Sequence, residues 1–175
     1  MLQLPINFGL VIAYFLPGMV VTYSLRYVSL RIDYLLQRVE SGQALLGPGL
    51  FLLIAAVVAG LIVSAARMVV FEPILYRTGV GRPNVNYKAL ASPETLSVYI
   101  QVVDNVYRFY QFYGNIFLAL LLMALLRYAV AGAAITSSLA AVSLFMLTVG
   151  AILALFIAAR LSMKQLCQAL DDLCN

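Results

Sequence analysis

The chain has 175 residues, 64% of them hydrophobic and only 10% charged, with a net charge of +4 and a mean hydropathy of +0.99. An ordinary soluble domain carries roughly 25% charged residues, so these values and apolar runs of about 20 residues indicate a single all-α integral membrane domain. The Lys and Arg residues sit at the ends of apolar runs, which sets orientation in a bilayer and is too sparse for nucleic-acid binding.

No Asp, Glu, Lys or Arg occurs from Met1 to Leu25, and a first membrane span is expected over about 5–25. Without Lys or Arg before it, this run lacks the charged start of a cleavable signal and is expected to be retained. Leu16-Pro17-Gly18 in its middle predicts a kink or break. Residues 26–40 follow without a turn signal. Val28, Ile32, Leu35, Leu36 and Val39 form one face, and Arg26, Ser29, Asp33, Gln37 and Glu40 another. That pattern predicts a cationic amphipathic helix lying in the headgroup layer.

The second span is expected over about 49–70. Within it Ala56, Gly60 and Ser64 make a row of small residues spaced by four, which marks a close helix-packing face in lipid. Residues 67–92 read as the main connection outside the membrane, because Glu72-Pro73, Thr78-Gly79, Gly81 and Arg82-Pro83 oppose a long helix. Arg67, Arg77, Arg82 and Lys88 make it basic. GVGRPN lacks the Lys-Ser/Thr of a phosphate-binding loop.

Ser92-Pro93-Glu94 is a helix start: Ser92 as cap, Pro93 at the first helical position, Glu94 favoured by the helix dipole. From Pro93 to Arg127 only Gly114 interrupts helical spacing, so a helix of about 52 Å must project from the bilayer or bend near Gly114. Its inner part, about 112–130, is the third span, and 71–111 is the extramembrane loop and helix. At about 100° per residue, Gln101, Asp104, Asn105, Arg108, Gln111 and Asn115 fall within one arc. This stripe is expected either as a solvated face or as the lining of a pore mouth or partner site. Five of the seven residues from Tyr107 to Tyr113 are aromatic (Tyr107, Phe109, Tyr110, Phe112 and Tyr113), and they predict an interfacial belt.

A fourth span is expected over about 139–159, with Gly150, Ala154 and Ala158 repeating the small-residue row. The two rows predict that the second and fourth spans pack together, within one subunit or between copies. In the tail, 161–175, Met163, Leu166, Cys167, Leu170, Leu173 and Cys174 form a short seam suited to self-association. If helical, the tail holds its two cysteines about 10.5 Å apart along the axis, too far for a bridge within one chain.

The chemistry of the chain is sparse. It has no histidine, which removes the commonest general base and the usual ligand of haem and catalytic zinc. Asp104, Glu72, Glu94 and the tail cysteines are not paired in a catalytic spacing. No enzyme activity, cofactor or metal is expected. Phe109–Leu126 and Tyr128–Ala159 carry no charge, which argues against an ion-coupled carrier. With four spans, seven Lys or Arg (Arg67, Arg77, Arg82, Lys88, Arg108, Arg160, Lys164) fall on the side of the termini and four (Arg26, Arg31, Arg38, Arg127) on the other. Positive charge then places the termini in the cytosol, although the arginines flanking the first span favour the reverse.

The stretches GLVIAYFLPG, FEPILYRTG with RPN, and VYRFYQFYGN resemble a group of small bacterial multi-pass membrane proteins with no assigned activity. The resemblance implies a bacterial inner-membrane setting. Two functions are expected from class. One is a homo-oligomeric channel, pore or membrane-perturbing effector, in bacterial defence or stress, with the 101–115 stripe at its mouth. The other is a membrane anchor or sensor that binds a soluble cytosolic partner through 67–113.

Overall fold

A computed structural model describes residues 11–42, 46–82, 92–131 and 139–174. These residues form five helices and, among themselves, no strand. Helix α1 runs from a π-helical turn, Val11–Phe15, into Leu16–Ser24 and ends in a 3-10 turn, Leu25–Tyr27. Helix α2 is Leu30–Glu40. Helix α3 runs through Leu46–Ala66, a π turn at Arg67–Phe71, and Glu72–Arg77. Helix α4 comprises Pro93–Val102, a π turn at Val103–Tyr107, and Arg108–Ala131. Helix α5 is Leu139–Cys174.

Among the described residues, three stretches are long and apolar enough to cross a membrane: Leu46–Arg77, Pro93–Val130 and Val142–Asp172. That is one fewer than the four expected. The missing one is the first, of which the structure describes only the part from Val11, and the rest of the expected 5–25 span lies outside the described residues. At about 1.5 Å per residue, the 32, 38 and 31 residues of these stretches reach well beyond a hydrocarbon core of about 30 Å. Each therefore has an apolar half and a polar half.

The long helix expected to be forbidden at Glu72-Pro73 does form. Pro73 has no N–H to donate back along the helix. The π turn just before it absorbs the disruption, and the chain stays helical to Arg77 before turning at Thr78-Gly79, with Gly79 at φ 84°. The break expected at Pro17 takes the same form, a π turn immediately before it. No bend occurs at Gly114, because α4 is regular from Arg108 to Ala131. The cap at Ser92 is as expected: its Oγ accepts the Thr95 N–H at 3.1 Å, with Pro93 first in the helix.

Helix α1 is the centre of the apolar half, packed against both α3 and α4, while α5 packs on the other side of α4. The row Ala56, Gly60, Ser64 meets α1 rather than α5. A Cβ on Gly60 would lie 2.0 Å from the Tyr14 carbonyl oxygen, and one on Gly18 would lie 1.8 Å from that of Ala56. Only hydrogen fits at either point. The second row faces outward, with Gly150 and Ala154 exposed and nothing near the place of a Gly150 Cβ. The expected pairing of the two rows is thus not made within the chain, because α1 already occupies the first.

The polar half has its own core, made of Phe71, Leu75, Val80, Tyr110, Ala159, Met163, Leu166 and Leu170, with Tyr99, Val102 and Val106 packed on it. Phe71, Phe117 and Phe156 join α3, α4 and α5 with ring centroids 5.0, 5.9 and 5.7 Å apart. This corrects the reading of the tail. Its apolar seam is not free for self-association, since Met163, Leu166, Cys167 and Leu170 are buried within the chain. The Cys167 thiol donates to the Gly81 carbonyl at 3.1 Å and Arg160 to that of Thr78 at 2.9 Å, tying the loop after α3 to α5. The side chains of Leu173 and Cys174 lie outside those described.

The two glycine rows give a paired test. Gly60→Ala should cost roughly 1–3 kcal/mol by overpacking. Gly150→Ala, in mid-helix with open space for the methyl group, should not destabilise and should gain up to about 1 kcal/mol. Unfolding of the two variants in mild detergent, followed side by side, checks both.

Candidate functional site

Where the two halves of the bundle meet, the arginine that follows the 21 uncharged residues of the helical segment Leu46–Ala66 turns inward. Arg67 has a fully buried side chain, the largest such in the described chain. A fixed charge in that position is costly unless it is paired and hydrogen-bonded. Its Nη1 donates to Glu72 Oε1 at 2.5 Å, and its guanidinium carbon lies 4.9 Å from the Tyr110 ring centroid and 6.0 Å from that of Tyr107. Rings at these distances supply cation–π attraction of about 0.5–2 kcal/mol in a dry site.

Backbone geometry makes the cluster. Arg67 and Glu72 stand five apart, a spacing that an i→i+5 turn brings to one face. Across from them, Gly114 leaves room for the arginine stem: a Cβ there would lie 2.8 Å from Arg67 Cδ and 3.3 Å from the Phe71 ring. The glycine that looked like a break in α4 is therefore a contact surface. Arg67 Nε and Nη2, the Tyr110 hydroxyl and Asn115 Oδ1 have no hydrogen-bond partner among the described residues.

The stripe on α4 divides in two. Gln111 and Asn115 are buried against α1, where Gln111 Nε2 donates to the Tyr14 hydroxyl at 3.4 Å and Asn115 Nδ2 to the Ala13 carbonyl at 2.8 Å. The latter contact has a local cause. Pro17 has no N–H to return to the carbonyl four residues before it, that of Ala13, and Asn115 supplies a donor from the next helix. The outer members remain at the surface: Gln101, Asp104 and Asn105 are exposed, and Arg108 pairs with Asp104 at 2.5 Å. The π turn at Val103–Tyr107 explains the division. It inserts an extra residue into one turn and rotates everything after it, so a stripe plotted at constant pitch is not one face.

The aromatic run also divides. Tyr110 is fully buried, Phe109 is 58% exposed, and Tyr107, Phe112 and Tyr113 are half-buried. Phe109 and Tyr113 stack at 6.2 Å between two surface hollows. One, of about 360 Å³, is walled by Ile12, Asp104, Arg108 and Phe112. The other, of about 270 Å³, is walled by Val106, Ser162 and Gln165. Both hollows contain Asn105. Exposed rings flanked by hollows with charged and amide groups can bind a protein surface.

From sequence, Arg67 and Glu72 read as parts of a basic loop and Gly114 as a break in helical spacing, nothing brought the three together, and Tyr14 carried no signal. The available signal was an arginine after the long uncharged run 41–66, with a carboxylate five positions on, and the adjacent proline concealed it. No protein-family model, curated protein or solved structure matches this chain.

The cluster makes a specific demand on stability. Glu72→Gln removes the counter-charge while leaving Arg67 buried, and should destabilise by about 2–4 kcal/mol, below the fully buried limit because Glu72 is partly exposed. Arg67→Met combined with Glu72→Gln should restore much of that loss, because no unpaired charge remains. Thermal unfolding midpoints of both variants in one detergent test the order.

Proposed function

We propose that this chain is a non-enzymatic, four-span membrane protein whose polar half presents the outer face of α4 to a soluble protein partner. The observation that carries this reading is the separate core of the polar half. Helices α3, α4 and α5 continue beyond their apolar stretches and pack on one another around Leu75, Tyr110 and Met163. A folded projection with its own core suits a docking platform, whereas a pore needs polar residues directed to an axis. Gln111 and Asn115, the innermost of the stripe, are engaged by α1 instead.

A fourth crossing is supported by the course of α1. Ala13 lies level with Asn115, and towards the opposite end of the helix Thr22 and Tyr23 share a hollow with Gly49 near the start of α3. The described part of α1 then covers about 20 Å of the layer that α3 and α4 cross. Charge supports a cytosolic polar half, since Arg77, Arg82, Arg160 and Lys164 belong to it. The resemblance noted above favours a bacterial inner membrane.

A second reading, self-association in the membrane, is favoured by the outward-facing Gly150 and Ala154. Photo-crosslinking in intact membranes separates the two. A photoreactive residue at Gln101 or Phe109 should give one discrete heterologous adduct, and the same residue at Leu147 should not. Adducts only between copies of the chain, together with ion flux in vesicles of the purified protein, would favour a pore.

A further inference from the structure

The outward face of α3 changes character beyond Arg67. Met68, Val69 and Val70, and Ile74 a turn further on, are exposed and apolar, as a surface against hydrocarbon would be. After them come Arg77 and, past the turn at Thr78-Gly79, Arg82, both exposed. Between the apolar residues and the two arginines lies a hollow of about 510 Å³, with Met68, Glu72, Pro73, Tyr76, Arg77 and Arg82 in its walls. Sites for small-molecule groups span roughly 300–1,000 Å³.

The charges of this hollow do not balance. Its carboxylate, Glu72, is committed to Arg67. Arg77 and Arg82 make no ion pair among the described residues, and no Asp or Glu occurs from 83 to 91 to supply one. Asp33 and Glu40 are taken by Arg26, and Asp104 by Arg108. Two positive charges therefore remain uncompensated on one wall. The Arg82 guanidinium lies over the Tyr76 ring, 5.3 Å from its centroid, which orients the group and leaves its edge N–H donors for another acceptor. The backbone between the arginines is held in place, since Arg160 donates to the Thr78 carbonyl at 2.9 Å and Cys167 to that of Gly81 at 3.1 Å. A ligand has little of that turn left to order.

We infer that this hollow binds the phosphodiester of an anionic glycerophospholipid such as phosphatidylglycerol, with Arg77 and Arg82 donating to the phosphate oxygens and the acyl chains lying along Met68, Val69 and Val70. Apolar surface followed within about 14 Å of helix by paired cations repeats the order of chain and phosphate in a lipid. Planar guanidinium groups suit phosphate oxygens. Phosphatidylethanolamine fits less well, because its ammonium would need the Glu72 carboxylate that Arg67 already holds. The hollow shares no residue with those beside Phe109, so it does not depend on what docks on α4.

Native mass spectrometry of the full chain in mild detergent, titrated with phosphatidylglycerol and separately with phosphatidylethanolamine, tests this. Arg77→Gln combined with Arg82→Gln should weaken the first phosphatidylglycerol at least about tenfold, the worth of lost charge-assisted hydrogen bonds. The unfolding midpoint should stay unchanged, since both side chains are exposed. Arg31→Gln combined with Arg38→Gln removes the same charge from α2 and should weaken binding less than about twofold, because distant charges are screened. Phosphatidylglycerol with a diazirine in its acyl chain should label Met68 or Val69, and the Arg77, Arg82 double variant should lose that label. Equal affinity for the two lipids, or equal loss in the two double variants, would overturn the assignment, since either would mean unspecific attraction. Displacement of the lipid by millimolar inorganic phosphate would also overturn it and give the hollow to a free phosphate.

Discussion

The buried Arg67 guanidinium is the constraint to which the middle of the molecule is fitted. A permanent charge enclosed between helices must find a counter-charge, a polarisable surface and space for its stem. Glu72 provides the first, the Tyr110 ring the second, and the missing side chain of Gly114 the third. Two of these come at a cost to regular structure, since α3 adopts a π turn to bring Glu72 round and α4 accepts a glycine in mid-helix. Beside the arginine, polar groups without partners among the described residues leave the cluster dependent on Glu72 and the rings.

The same device recurs along the chain. Three π turns, at Val11–Phe15, Arg67–Phe71 and Val103–Tyr107, all border this polar layer. Two stand just ahead of a proline. The third has no proline near it, and it re-aims α4 so that Gln111 and Asn115 meet α1 while Asp104 and Asn105 stay outside. Asn115 then supplies the donor that Pro17 cannot. Irregular backbone and buried polar side chains thus compensate one another at a single level of the bundle.

How much of this was legible in the sequence depends on the range of the interaction. Helix type, the cap at Ser92 and the apolar faces of α2 and the tail follow from local pattern, and they are present in the structure. What those faces pack against does not. The row Ala56-Gly60-Ser64 announced a close crossing but not its partner, because Gly18 and Tyr14 meet it from a helix that carries no such row. The tail seam looked free only because its partners, Leu75 on α3 and the Tyr99–Val106 face of α4, are distant in sequence. Arg67 is hidden for a different reason: Pro73 reads as the end of a helix, whereas a π turn lets the helix continue past it. On α4 the assumption of constant pitch carried the error, since one extra residue in a turn divides a stripe in two.

The division into an apolar half within the bilayer and a folded polar half beyond it is the claim on which the rest stands. Spin labels placed one at a time along α5 in vesicles, read for collision with oxygen and with a water-soluble nickel complex, test it directly. Labels at Leu144, Leu147 and Leu153 should favour oxygen, those at Lys164, Gln165 and Gln168 should favour nickel, and those at Met163 and Leu166 should be shielded from both. A helix that favours oxygen along its whole length, or that exposes Met163 and Leu166 to nickel, would contradict the account.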